Sequence, residues 1–366
     1  MFLKQLNILN YRNLREANLD FSPKINCLIG SNGMGKTNVL DAIYFLSFGK
    51  SIHTNIDSQN ITHGETYFML KGEYERKEQP ELISCGLKSG QKKHLKRNQK
   101  EYQRLTDHIG LFPLVIVSPK DSELVAGSSE LRRKFIDGVI SQTNREFLQY
   151  TLAYAQLLRQ RNALLKNDDL QYDLLEVIDL QMGQYGTKIY EQRRQFIEQF
   201  IPIFQDYYSF IANTSQEIIS LDYNSHLSQK DLYDDLVACR ERDHIIGFTT
   251  HGVHKDDLEM LLNDYPVRQV ASQGQQKTFL LALKLAQFEF LKTFHGFCPL
   301  LLLDDLFDKL DSLRVARLVE LVNSERFGQI FITDTNHAHI DEILQPIEQS
   351  SKIFYVENGN VTNQTK

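Results

Sequence analysis

One short segment constrains this chain more than any other. Residues 30–37 are Gly30-Ser31-Asn32-Gly33-Met34-Gly35-Lys36-Thr37 and fit the pattern G-x-x-x-x-G-K-[ST]. The apolar run Ile25–Ile29 before them predicts a buried strand, and apolar residues at helical spacing after Lys36 predict a helix. A glycine-rich loop between a strand and a helix N-terminus directs its backbone N–H groups at a phosphate group. We therefore expect a P-loop α/β fold.

The loop supplies a set of candidate nucleotide-binding residues. A lysine at the position of Lys36 places a positive charge on the β- and γ-phosphates, and a hydroxyl at the position of Thr37 is a ligand for Mg²⁺. ATP and Mg²⁺ are the cofactors that this pattern predicts. The predicted binding residues are Gly30, Ser31, Asn32, Gly33, Met34, Gly35, Lys36, Thr37 and Asn38.

Paired carboxylates far along the chain are candidates for the second half of this site. Asp304 and Asp305 follow the apolar run Leu300–Leu303, which predicts another buried strand. Two adjacent carboxylates at the end of a buried strand are costly unless cations or hydrogen-bond donors hold them. We interpret Asp304 as a Mg²⁺ ligand and Asp305 as the group that polarises the attacking water, with Lys36 as the third catalytic residue. A solvated turn at a strand end is the alternative.

A third segment decides between the classes of P-loop protein. Residues 271–277, with Ser272, Gly274 and Gln275 among them, precede a strongly apolar helix and resemble the signature motif of ABC-type ATPases. In that class the serine and glycine at the helix N-terminus face the γ-phosphate held by the other protomer. The resemblance therefore implies an ATP-dependent homodimer, with Leu310-Asp311 as its D-loop. A simple helix cap at Ser272 is the alternative.

The resemblance then narrows to the RecF family of recombination-repair proteins. It extends over nearly the whole chain. The similar segments are Tyr11-Arg12-Asn13-Leu14, residues 30–38, residues 42–47, Gly49-Lys50-Ser51, residues 118–127, residues 132–137 and residues 251–258. The resemblance implies binding to DNA at single-strand gaps and duplex junctions, a RecR-like partner, and indirectly the loading of RecA.

Several residues depart from the ABC and RecF patterns. Gln273 replaces the first signature glycine, and Asp305 stands where most ABC proteins have glutamate. No glutamine follows Val117 as an obvious Q-loop, and the nearest candidate switch histidine, His337, comes late after its strand. In the segment 251–258, Val253 and Lys255 replace proline and arginine. We therefore expect nucleotide binding with slow, weak DNA-dependent hydrolysis, in which ATP acts mainly as a dimerisation switch.

The distribution of strands and helices predicts a split lobe. Short apolar runs occupy the chain up to about residue 120, a region of helical character follows, and strands return after about Gly247. We therefore expect an α/β, ABC-ATPase-like head: a P-loop α/β lobe formed by residues 1–120 and 247–366, with a mainly helical lobe, residues 121–246, inserted between them.

Composition gives weaker indications. The net charge of −6 shows no overall bias towards nucleic acid, although Lys88, Lys92, Lys93, His94, Lys96, Arg97 and Lys100 form a local basic run. That run fits either DNA phosphates or a solvated hairpin. The four cysteines are far apart, and His251 and His254 have no third ligand at metal-site spacing. Without a signal peptide or a long apolar segment, we expect a cytoplasmic protein with no membrane contact.

Three other functions share the P-loop. A chromosome-organising ATPase head of the SMC type needs two long coiled-coil arms, and residues 37–272 leave no room for them. An ATPase fused to a nuclease needs a further acidic metal-binding domain after Asp311, which the remaining residues do not supply. A small-molecule kinase is disfavoured by the signature segment.

Overall fold

The computed structural model describes residues 1–213, 217–306, 312–336, 340 and 351–363. The chain forms two compact units. Unit one contains Met1–Asp121 and Gln287–Lys366, and unit two contains Ser122–Ala286. Unit two therefore continues beyond the predicted boundary at 246/247. The reason is that strand Asp257–Leu262 pairs with strand Ile219–Asn224, which precedes that boundary.

Groups of strands and groups of helices follow one another in chain order. The strands are β1 (Phe2–Tyr11), β2 (Leu14–Asp20), β3 (Ile25–Ile29), β4 (Tyr67–Arg76), β5 (Gln79–Lys88), β6 (His94–Arg97), β7 (Lys100–Glu101), β8 (Leu114–Val117), β9 (Ile219–Asn224), β10 (Asp257–Leu262), β11 (Tyr265–Pro266), β12 (Leu300–Asp304), β13 (Ile330–Asp334), β14 (Ser351–Glu357) and β15 (Asn360–Asn363). The α-helices are α1 (Lys36–Phe48), α2 (Ser122–Ala126), α3 (Ser129–Thr143), α4 (Arg145–Leu164), α5 (Tyr172–Ala212), α6 (Leu232–Ala238), α7 (Arg240–Ile246), α8 (Val267–Val270), α9 (Gln273–His295) and α10 (Ser312–Asn323). Short 3₁₀ helices cover Asp57–Asn60, Leu105–Asp107, Pro119–Asp121 and His226–Ser228.

A mainly parallel sheet forms the centre of unit one. Its described strands follow the order β15-β14-β3-β13-β12-β8. The strands β3, β12 and β13 are buried along their whole length, which explains why their sequences are mostly apolar rather than alternating. The carboxyl ends of β3, β8, β12 and β13 meet at one edge of the sheet because these strands are parallel.

An antiparallel sheet, in the order β2-β1-β4-β5-β6-β7, is the second layer of unit one. In β5, buried residues alternate with half-buried ones from Glu81 to Leu87, and the apolar runs in the sequence do not show this antiparallel pairing. Helix α1 contacts strands of both sheets, and its apolar residues share one core with theirs. This packing fixes the helix that carries the P-loop residues.

Unit two is built around three long helices, α3, α4 and α5, and a small antiparallel sheet in the order β11-β10-β9. Arg161 of α4 is fully buried and forms ion pairs with Asp179 at 2.6 Å and Asp243 at 2.5 Å. A buried guanidinium requires such partners, because an unpaired buried charge is strongly destabilising. The apolar part of α9 begins in this unit, where Phe279 packs on Phe204 and Tyr208.

The predicted fold class is confirmed: a P-loop α/β lobe split in sequence is combined with a mainly helical insertion. No helix in the described part of the chain combines the length and apolarity needed to cross a membrane.

A buried histidine predicts how stability depends on pH. His108 donates from Nε2 to the Leu46 carbonyl of α1 at 2.7 Å, and burial lowers its pKa to about 4. The unfolded chain takes up this proton at a pKa of about 6.5. The contribution of His108 to the free energy of unfolding is therefore present in full above about pH 6.5. It is lost as the pH falls towards 4, which lowers the free energy of unfolding by about 2–3 kcal/mol. Urea unfolding of His108→Gln should show a correspondingly shallower decline between these pH values. His63→Gln, at an exposed position, is the control and should follow the unsubstituted protein.

Candidate functional site

The glycines of the loop allow close approaches that other residues do not. A Cβ atom on Gly30 would lie 2.2 Å from the backbone oxygen of Val356 in β14, the strand next to β3. Gly35 has φ +117°, a conformation that residues with a side chain rarely adopt. The loop therefore fits between β3 and α1 only with glycine at these positions.

Helix α1 begins without a side-chain cap. Gly35 occupies the cap position, and the first turn contains no acidic residue. The first backbone N–H groups of a helix are unsatisfied and carry a partial positive charge, so this start is suited to an external anion. The side chain of Lys36, 6% exposed, donates from Nζ to the carbonyl oxygens of Gly30 at 2.5 Å and Ser31 at 3.1 Å. Its ammonium group is thus held at the same loop.

The predicted Mg²⁺ ligands are in contact. Thr37 Oγ1 donates to Asp304 Oδ1 at 2.9 Å, and Thr333 Oγ1 at the end of β13 donates to the same oxygen at 2.8 Å. The parallel strands place these groups together, because Asp304 pairs with Thr333 and the loop follows the neighbouring β3. Burial raises the pKa of the Asp304 carboxyl, against the two hydroxyl donors, which lower it. Hydroxyl and carboxylate oxygens are the ligands that Mg²⁺ prefers.

Asp305 lines the cavity formed by the loop. This cavity has a volume of about 140 Å³ and is lined by Asn32, Gly33, Gly35, Lys36, Thr37, Asn38 and Asp305. Asp305 has φ +49°, and its backbone N–H donates to Thr333 Oγ1 at 2.9 Å. Its buried Oδ1 has no hydrogen-bond partner among the described residues. A buried carboxylate oxygen without a donor fits a cation or an ordered water, so these residues are compatible with a metal-bound nucleotide.

A residue that the sequence motifs do not single out holds the outside of the loop. Asn13, in the turn between β1 and β2, donates from Nδ2 to the Met34 carbonyl at 3.1 Å and accepts from Asn38 Nδ2 at 2.7 Å. The hairpin turn after β14 contributes a further contact, from the Gly359 N–H to the Met34 carbonyl at 3.0 Å. Asn13 had been noted only as part of a family-like segment, and its role depends on tertiary contacts.

Asp41 is a second missed residue. It lies one helical turn after Thr37 and is fully buried. Its carboxylate accepts hydrogen bonds from Tyr11 Oη at 2.7 Å, Arg12 Nε at 3.0 Å, Ser51 Oγ at 2.8 Å and the Ile52 N–H at 2.7 Å. The N-terminal strand and the segment after α1 are therefore both attached to the helix that begins at the loop.

The signature segment lies in unit two at the start of α9. Ser272 is exposed, and its Oγ accepts from the Gln275 N–H at 3.2 Å, while Gln275 Oε1 accepts from the Ser272 N–H at 2.8 Å. This reciprocal pair is a capping box. Ser272 thus caps the helix, as the alternative interpretation held, and Gly274 lies in its first turn. The predicted D-loop, Leu310-Asp311, and the candidate switch histidine, His337, lie outside the described residues.

Several of the remaining candidate residues are held by contacts within the protein. His254 donates from Nε2 to the Thr249 carbonyl and accepts at Nδ1 from Tyr154 Oη, so both ring nitrogens are used inside unit two. Within the described residues, no group of three or more histidine, cysteine or acidic side chains is arranged to hold a metal ion. In the basic run, Lys93 pairs with Asp57 at 2.8 Å, and Arg97 pairs with Glu81.

Comparisons with known proteins agree with this geometry. A family model described as the RecF/RecN/SMC N-terminal domain matches residues 2–362. The DNA replication and repair protein RecF of Phocaeicola vulgatus is 53% identical over 99% of this chain and 98% of its own length. The protein of the same name from Bacteroides thetaiotaomicron is 52% identical over 98% of both chains. The chain belongs to the RecF family. The resemblance inferred from the sequence motifs is confirmed.

Solved structures extend the comparison to the fold. A structure of the recombination mediator protein RecF-ATPrS in the RecFOR pathway matches this RecF-family chain with a TM-score of 0.89 and 29% identity, over 100% of this chain and 98% of the other. An Smc head bound to the C-winged helix domain of ScpA matches with a TM-score of 0.61 and 14% identity, over 100% and 98% of the two chains. At this identity the second match concerns the fold alone.

Removal of the loop lysine tests the nucleotide site of this RecF-family chain. Lys36→Ala should reduce ATP affinity by at least 100-fold, because it deletes a charge-assisted contact to phosphate from a side chain that is itself buried, while the fold is retained. Isothermal titration calorimetry measures the affinity and urea unfolding checks the fold. Lys50→Ala, on the same segment beyond α1, is the charge-matched control. Unchanged ATP affinity in Lys36→Ala would contradict the site assignment.

Proposed function

We propose that the protein is an ATP-dependent DNA-binding protein of recombinational repair and replication restart. In this proposal ATP joins two copies into a clamp at single-strand gaps and duplex junctions. The observation that carries it is the contact between Thr37 and Asp304 beside the phosphate loop, in a chain of the RecF family. Kinship to the recombination mediator protein RecF-ATP in the RecFOR pathway supports ATP as the nucleotide.

The nucleotide would be held by this chain's own groups. The amides of residues 31–37 and the Lys36 ammonium bind the phosphates. Thr37 and Asp304 are the groups that would hold Mg²⁺, which supplies charge neutralisation at the β- and γ-phosphates when bound. Asp305, with a buried oxygen that no described group satisfies, would orient the attacking water.

Hydrolysis is proposed to be slow. Asp305 is one methylene shorter than glutamate, so its carboxylate reaches less far towards a water in front of the γ-phosphate. Its backbone is fixed by the bond from its N–H to Thr333 and by the positive φ, which leaves little freedom to compensate for the shorter reach. ATP would then act chiefly as a switch for association, and turnover would be needed only for release.

Dimerisation is proposed to use the start of α9. Ser272 is exposed, and the helix that follows is long and anchored in a core, so its N-terminus is a rigid anion-binding feature. In ABC-type ATPases such a feature completes the site of the other protomer. Here Ser272, Gly274 and Gln275 of one copy would approach the γ-phosphate held by the second copy.

The Ser272→Arg variant tests the clamp. Its own phosphate loop is unchanged, so ATP binding by the monomer should remain within about twofold of normal. ATP-dependent association should fail, because a bulky cation replaces the hydroxyl that must approach the γ-phosphate closely. Sedimentation with and without ATP and a gapped DNA reports association and DNA binding on one preparation.

The matched control for this variant is Ser272→Ala. Both substitutions remove the cap hydrogen bond to the Gln275 N–H and should lower stability equally, by about 1 kcal/mol. Only the arginine adds bulk and charge. Normal ATP-driven dimers of Ser272→Arg would refute the clamp, and equal loss of dimers in both variants would attribute the loss to the missing hydroxyl rather than to the added bulk and charge.

DNA binding is proposed for the hairpin of β5, β6 and β7. Its basic residues are not equivalent: Lys93, Arg97 and His94 bond to Asp57, Glu81 and Glu101, respectively. The other four side chains are exposed and form no ion pair with described residues; they are Lys88, Lys92, Lys96 and Lys100. These four are therefore the candidates for neutralising DNA phosphates.

The salt dependence of DNA binding tests this assignment. The double variant Lys92→Gln/Lys96→Gln should weaken duplex binding and reduce the slope of log affinity against log salt by about 1–2, since each lost phosphate contact contributes about 0.9. Lys77→Gln/Lys230→Gln removes the same charge at exposed positions elsewhere and is the control. Fluorescence anisotropy at several salt concentrations measures both slopes. An equal change in the two variants would indicate a general charge effect and argue against the hairpin.

The proposed partners follow from the family. A RecR-like protein would bind the DNA-bound dimer, and RecA loading onto the gap would be the outcome, as the RecFOR pathway of the related structure suggests. The alternative, an SMC-type chromosome-organising head, is supported by fold similarity alone.

A further inference from the structure

A carboxylate 58 positions before Gln275 joins the start of α9 to the core of unit two. Oε1 of Glu217 accepts a hydrogen bond from Gln275 Nε2 at 2.8 Å, and its Oε2 accepts one from Tyr208 Oη of α5. Tyr208 is buried, and its ring centroid lies 5.8 Å from that of Phe279, further along α9. Glu217 therefore connects the first turn of α9 to the same core on which the apolar part of that helix packs.

The contact with Glu217 determines which way the side-chain amide of Gln275 points. An ionised carboxylate can only accept, so the NH₂ group of Gln275 faces Glu217 and its oxygen faces the other way. That oxygen, Oε1, accepts from the Ser272 N–H at 2.8 Å. The reversed amide would place two acceptors against each other at Glu217 and two donors against each other at Ser272. Glu217 thus selects the amide orientation that the capping box requires.

The capping box in turn sets which groups at the start of α9 are left for a ligand. Ser272 Oγ accepts from the Gln275 N–H at 3.2 Å, so the hydrogen of its own hydroxyl is left to donate. The first backbone N–H groups of a helix have no acceptor within that helix, and in α9 these belong to Gln273 and Gly274. Hydroxyl and amide donors at a helix N-terminus are the groups that bind a phosphate. The bond from Gln275 to Glu217 therefore stabilises the arrangement of donors that the proposed dimer site uses.

We propose that Glu217 is a positioning residue for the γ-phosphate that a second copy of the chain presents to the start of α9. It acts through Gln275: the carboxylate orients the amide, the amide oxygen holds the Ser272 N–H, and the Gln275 N–H orients the Ser272 hydroxyl. This inference rests on the proposed ATP-driven dimer. Without Glu217 the amide of Gln275 is no longer held in this orientation, and the donors that meet the γ-phosphate must be ordered when the two copies associate. The cost of that ordering weakens the dimer.

The Glu217→Ala variant tests the inference, because it removes the acceptor and leaves the sequence of α9 unchanged. Sedimentation with a non-hydrolysable ATP analogue and Mg²⁺ measures the dissociation constant of the dimer, which should rise about 10-fold for one lost hydrogen bond to a charged group. The affinity of the monomer for a fluorescent form of the analogue, measured at protein concentrations too low for association, should stay within about twofold, because the phosphate loop lies in unit one. Glu259→Ala, at an exposed position of β10, removes the same charge from unit two and should leave both values unchanged.

Two further variants separate positioning from a loss of charge or of structure. Glu217→Gln keeps an oxygen that accepts from Gln275 Nε2, and should hold the dissociation constant of the dimer within about threefold of the unsubstituted value. In a chain that carries Gln275→Ala, adding Glu217→Ala should change this constant by less than about twofold, because Glu217 acts through Gln275.

Three results would overturn the assignment of Glu217 and leave the clamp intact. They are an unchanged dissociation constant in Glu217→Ala, an equal rise in Glu217→Gln, and additive effects in the double variant. An unsubstituted protein that does not dimerise with the analogue would instead remove the proposed clamp, and the inference with it.

Discussion

The hydrogen bond between Thr37 and Asp304 is the interaction on which the site depends. These residues are 267 positions apart and meet because β3 and β12 both flank β13 in the parallel sheet. Thr333, at the end of β13, donates to the same carboxylate oxygen. The ends of three strands are thus joined at one buried carboxylate. The inserted helical unit can be long and variable in sequence without disturbing this site, because the sheet alone sets the distance between its halves.

The sequence predicted the parts of the site that local rules determine. The phosphate loop has a fixed spacing of glycines, and β3 and β12 are mostly apolar rather than alternating because both faces of the sheet are covered. The roles of Asn13 and Asp41 could not be predicted from the chain, since each is an ordinary polar residue whose contacts are made by groups distant in sequence. The antiparallel sheet was not predicted for a related reason: short apolar runs indicate strands before residue 120, but they do not show which strands are neighbours.

Charge is the clearest case in which sequence and structure give different information. In sequence the basic run is uniform, and any of its residues is a candidate for contacting DNA. In the structure Arg97 binds Glu81 across β5 and β6, and Lys93 joins the hairpin to Asp57 and to the Gly49 carbonyl after α1. These two cations stabilise the antiparallel sheet next to the helix of the P-loop. A count of basic residues therefore overestimates the charge available to a ligand, and pairing decides which lysines remain.

Capping and phosphate recognition by Ser272 are compatible because they use different parts of the same group. As a cap, the hydroxyl accepts a hydrogen bond from the Gln275 N–H, which leaves its own hydrogen available as a donor. A γ-phosphate offers only acceptors, so the cap orients the hydroxyl for such a ligand rather than competing with it. The capping box also fixes Gln275, whose side-chain amide bonds to Glu217. The start of α9 is thus fixed within one copy, which would reduce the entropy lost in the proposed association of two copies.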